Sequence, residues 1–134
     1  MRTSLTVALV VVAAACATTY NMPQEERSRS YVAPNEVVWE AALGALDDVG
    51  IAVIQAEEEH GQILARSKGN VLYRKGHVVR IVLSDAGNGR IRVDANAETV
   101  SDDSLVDFGR AHGIVRDYLD ALDERLAESR GAPR

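Results

Sequence analysis

Apolar positions along this chain repeat first at helical spacing, then at every second residue, then at helical spacing again. Val38, Ala42, Ala45 and Val49 recur about one turn apart, and Trp39, Leu43 and Leu46 widen the same face. Asn35, just after Pro34, is placed to cap the free amides of that helix, and Gly50 to end it. From Ile51 the period becomes two. Ile51 to Ala56 and Gln62 to Ser67 read as strands joined through the charged turn Glu57 to Gly61. Val78 to Ser84 sets Val79, Ile81 and Leu83 on one face; Arg90 to Glu98 does the same with Ile91, Val93, Ala95 and Ala97. A turn over Asp85 to Gly89 that pairs Leu83 with Ile91 sets Arg80 opposite Asp94 on the outer face. Beyond Ser101 to Ser104, which suit a helix start, Phe108, Ala111, Val115, Tyr118, Leu119, Leu122 and Leu126 form one stripe. Asp117, Asp120, Asp123 and Glu124 then face water.

The order helix, hairpin, hairpin, helix predicts an α+β two-layer sandwich, an antiparallel sheet of about four strands with both helices on one face. One domain over 34–127 accounts for the periodic part, with a frayed tail over 128–134. Residues 16–33 are polar and of mixed charge, and read as a flexible tether, with Ser30 to Val32 as a short edge-strand candidate before Pro34. Residues 68–77 fit either a loop or a further strand piece.

The start of the chain has a different character. Arg2 precedes an apolar run from Leu5 to Val12, followed by Ala13, Ala14, Ala15 and the sole cysteine, Cys16. A positive start, a short apolar middle and small residues before a cut are the parts of a secretion signal. The apolar run falls well short of the roughly 20 residues that a spanning helix needs. Ala13-Ala14-Ala15-Cys16 resembles the lipobox of bacterial lipoproteins, with Ala13 where that pattern prefers Leu. The resemblance implies removal of residues 1–15 and a covalent lipid on Cys16. Ala17, in place of Asp, resembles the sorting signal for the outer membrane in Gram-negative species. Three acyl chains anchor firmly, since two already suffice.

Composition narrows the role of what remains. Of 134 residues, the 15 before Cys16 leave 119, room for one small domain, and aromatics at 4% make its core aliphatic. Loss of Arg2 with the signal takes the net charge from −5 to −6, against general nucleic-acid binding. With Cys16 lipidated no thiol remains for a disulfide. His60, His77 and His112 lack metal-ligand spacing, and no GxSxG elbow or phosphate loop is present. Asp107-Phe108-Gly109 copies a kinase magnesium motif in letters alone. No catalytic residue and no cofactor are therefore expected. Arg66, Lys68, Arg74 and Lys75 around Tyr73 run against the acidic average, and form the candidate surface for phosphate headgroups or an acidic partner.

Val38-Trp39-Glu40-Ala41-Ala42, then Leu46, Gly50-Ile51 and Gly61-Gln62-Ile63, resemble small bacterial envelope lipoproteins. They are similar to uncharacterised lipoprotein families and to the repeated domain in the C subunit of the outer-membrane β-barrel assembly machinery. That resemblance covers roughly residues 31–126 and implies a noncatalytic module on the periplasmic side of the outer membrane, with an envelope protein as partner. The alternative is a carrier or sensor of a small apolar or lipid ligand held between sheet and helices.

Overall fold

The computed structural model describes residues 22–67, 76–99 and 110–131. The signal, Cys16 and the capping residues Ser101 to Ser104 lie outside them. The described chain is α+β, with three helices and an open antiparallel sheet of five strands: α1 (Gln24–Arg27), β1 (Ser28–Val32), α2 (Asn35–Asp48), β2 (Ile51–Glu57), β3 (Gln62–Ser67), β4 (His77–Gly87), β5 (Arg90–Thr99) and α3 (Arg110–Gly131). The strand order is β1-β5-β4-β3-β2. The fifth strand is β1, in which the expected edge piece Ser30 to Val32 lies.

Both long helices carry the stripes that their spacing predicts, as far as they are described; Phe108 lies outside the described residues. Val38, Trp39, Ala42, Ala45 and Leu46 of α2 are buried, as are Ala111, Val115, Tyr118, Leu119, Leu122 and Leu126 of α3. They share one core with the inward residues of the sheet, among them Ile63, Ala65, Val79, Ile81, Leu83, Val93 and Ala95. Tyr118 crosses between the helices, and its hydroxyl donates to the Ala42 carbonyl at 3.2 Å. Burial pushes that phenol well above its ordinary pKa.

Four details differ from the expectations. The Pro34 carbonyl, not the Asn35 side chain, caps α2, accepting from Val37 and Val38 at 3.0 and 3.1 Å; Asn35 is already helical. The β4–β5 turn is Asn88-Gly89, both at positive φ, so Asp85 to Gly87 stay in the strand and every pair shifts by two residues. Leu83 thus opposes Val93, and Arg80 opposes Asn96 and reaches Glu98 at 3.6 Å. The tether expected over 16–33 is folded from Met22 onward, since β1 satisfies its backbone against β5 and Met22 joins the core. Finally, α3 continues to Gly131, into the segment 128–134 expected to fray, of which 132–134 lie outside the described residues.

The sheet has two distinct ends. At one, Gly61 lies beside Leu83, whose N–H donates to the Gly61 carbonyl at 2.7 Å, and Val32 opposes Arg90 next to the Asn88-Gly89 turn. At the other, Ile51 opposes Ser67 and His77 opposes Thr99, and Arg110 of α3 lies near Ser67. The chain enters toward this second end. Arg27 donates to Asn96 Oδ1 at 2.7 Å, which sets α1 beside the C-terminal half of β5.

Candidate functional site

Of the candidate surface residues, Arg66 is described, and Lys68, Tyr73, Arg74 and Lys75 lie outside the described residues, as does Cys16. Arg66 projects from the outer face of β3, exposed, between Ala52 and Val78 on the neighbouring strands. It stands at the sheet end toward which the chain enters. The two residues that flank the rest of the basic set, Ser67 and Gly76, stand there too. The Ser67 hydroxyl accepts from the His77 backbone N–H at 2.9 Å, joining the adjoining strand ends.

The outer face of the sheet, away from α2 and α3, mixes charged side chains paired with one another and exposed apolar ones such as Val32 and Val82. Arg92 reaches Asp94 at 3.1 Å and Arg80 reaches Glu98, in each case with partly exposed side chains. A surface groove of about 310 Å³ crosses it, lined by Gln55, Glu57, Gln62, Leu64, Arg80 and Val82. A second, broader groove of about 660 Å³ lies between α2 and α3, with Glu36, Glu40, Arg125 and Glu128 on its rim. Arg125 makes two bonds to Asp48, at 2.6 and 2.8 Å, and these hold the Asp48 carboxyl below its usual range.

One polar cluster had no sequence signal of its own. Tyr31 and Arg29 point inward from β1 and meet α3 more than ninety residues later. The Tyr31 hydroxyl donates to Asp123 Oδ1 at 2.6 Å. Arg29 approaches Asp123 at 3.4 Å and Asp120 at 3.9 Å. Burial first, and then the Asp123 carboxylate, push the Tyr31 phenol far above its ordinary pKa. A phenol held so firmly protonated is a poor base and a poor nucleophile. The cluster fastens a strand to a helix.

The histidines are dispersed. His60 sits exposed with Nδ1 at 3.1 Å from Glu57, and His77, the last residue of the segment read as either a loop or a strand piece, is buried at the start of β4. Among the described residues no three His, Cys, Asp or Glu side chains are grouped to hold a metal ion. Among them, too, no helix is long and apolar enough to cross a membrane. No protein-family model matches this chain, and no curated protein matches it significantly.

Proposed function

We propose that this chain is a lipoprotein of the bacterial envelope, anchored through Cys16 to the periplasmic side of the outer membrane, and that its domain is a noncatalytic interaction module. The domain acts as a two-layer sandwich, with α2 and α3 backing the sheet. The observation that carries this reading is a coincidence of position. The described chain begins, at Met22 and α1, toward the same end of the sheet at which Arg66 stands and at which β3 ends and β4 begins, the two strands between which Lys68, Tyr73, Arg74 and Lys75 fall in sequence. In a chain anchored through Cys16, a cation at that end meets phosphate headgroups or acidic groups of a neighbour first.

Cys16→Ser tests the anchor: the variant is expected in the soluble fraction, and continued membrane attachment defeats the reading. The docking set has its own test, because the sequence holds two lysines, Lys68 and Lys75. An amine-reactive crosslinker applied to intact membranes is expected to capture a neighbour through these lysines. Replacing both by Arg keeps the charge and is expected to abolish capture. Capture that survives the double replacement places the reactive group elsewhere.

A further inference from the structure

The chain folds much nearer to Cys16 than its polar composition suggests. Met22 is 2% exposed within the core, and its carbonyl accepts from Arg27 Nε at 3.0 Å. Six residue steps separate Met22 from Cys16, and at no more than about 3.6 Å per step they span no more than about 22 Å, whatever their conformation. A domain of this length is about 34 Å across. Its compact described body therefore stands within about 55 Å of the leaflet that holds the lipid.

Resting on the lipid-anchor reading, we infer that the partner is a protein embedded in that same leaflet, not one met across the compartment. The charge near the entering chain favours a protein over the lipid surface itself. Glu25 and Glu26 of α1 are exposed beside the entry, while Arg66 stands at the same end of the sheet. A uniformly anionic headgroup plane attracts one of these groups and repels the others. A protein surface can answer both signs in register.

Tether length tests this, because the two geometries respond in opposite directions. A photoreactive residue is placed at Glu25 or at Ser84 in the lipidated full chain in cells, with and without 20 Gly and Ser residues inserted before Met22. For a partner in the same leaflet, the longer tether dilutes the domain around it, and adduct yield falls by up to roughly ninefold. The partner identified from the adduct is expected to stay in membranes of cells lacking this chain through an alkaline carbonate wash, so that the lipid on Cys16 does not hold it there. A yield that rises or holds with the insertion overturns the inference, as does a partner that washes from those membranes or no adduct at either position. Cys16→Ser is run alongside; its retention in membranes overturns the anchor reading itself.

Discussion

The two edges of the sheet are held in opposite ways. At the β1 edge, the inward side chains Arg29 and Tyr31 reach α3, Met22 enters the core, and Arg27 bridges to β5. At the β2 edge, Ile51 alone is buried; Val53 and Ile54 are 44% and 56% exposed, and a bulge between Val53 and Gln55 breaks the register with β3. The segment that looks like a linker is therefore stitched to the domain, while the apolar segment in mid-sequence is loosely covered. Apolar composition marks what can be buried, but the elements packed above a strand decide what is buried. The bulge also bends the β2 edge away from pairing with another chain, a common protection for an open edge.

Tyr31→Ala tests the stitched edge most severely. It removes a large, nearly buried ring together with the bond to Asp123, and the expected cost is about 3 kcal/mol or more. Urea unfolding checks this, read as a shift in midpoint at an unchanged slope. A cost under about 1 kcal/mol makes β1 a passive appendage and removes the contrast.

The opposite edge has its hold at the hairpin tip. Gly61 takes φ 65°, and a Cβ built there collides with the Leu83 carbonyl oxygen, the neighbour that packs the β2–β3 tip onto β4. Gly61→Ala combines left-handed strain with that clash, at an expected cost of about 1–3 kcal/mol. Ile54→Ala, beside the bulge, is expected to change stability by less than about 0.5 kcal/mol. Equal effects at Gly61 and Ile54 contradict a tip-held edge.

Tyr31→Phe keeps the ring and isolates the hydroxyl. Asp123 is half exposed and recovers water, so the expected loss is about 0.5–1.5 kcal/mol. The pH dependence has a definite sign. The phenol is raised in the folded protein above its ordinary 10.0, so its contribution is full below pH 10.0 and declines as pH rises toward the folded value. Wild type is expected to lose stability above pH 10.0 faster than Tyr31→Phe, with Tyr118, raised in the same direction, supplying the loss that remains.

How much of this was legible in the sequence follows from where each signal resides. The two long helices and the three inner strands β3, β4 and β5 were readable because their buried residues recur at periods set by backbone geometry, and β2, of which Ile51 alone is buried, was readable from its apolar run and flanking turns. β1 offered no such period. Its inward positions are Arg29 and Tyr31, and their partners on α3 are fixed by tertiary packing that no local window contains. Asp120 and Asp123 looked like solvated positions for the same reason. The hairpin register missed by two residues because it depends on whether the turn closes over two residues or five, and positive φ at Gly87, Asn88 and Gly89 permits both. Of the candidate surface, Arg66 has a place in the fold; the lipid-anchor proposal for Cys16 rests on sequence pattern alone, which is a matter of targeting and not of packing.

The smallest effect belongs to the charged tie just before β2. Gly44 lies inside α2, and the Arg125 guanidinium occupies the place its Cβ would take on the way to Asp48. Gly44→Ala gains about 1 kcal/mol of helix propensity. It also pushes aside the end of a flexible, exposed side chain. The ion pair so displaced is solvent-exposed and screened and contributes little, so the expected result is neutral to slightly stabilising. Because the Asp48 carboxyl is depressed below its ordinary 3.8, the tie is intact at neutral pH and disappears as pH falls through the folded value. The gain from Gly44→Ala is therefore expected to be larger in acid, or in an Asp48→Asn background, than at pH 7. Thermal unfolding of the four proteins at two pH values checks this. A clear loss of stability at pH 7 that disappears in the Asp48→Asn background means that the Arg125 to Asp48 tie fastens the β2 side as firmly as Tyr31 and Asp123 fasten the β1 side, and the asymmetry between the edges then disappears.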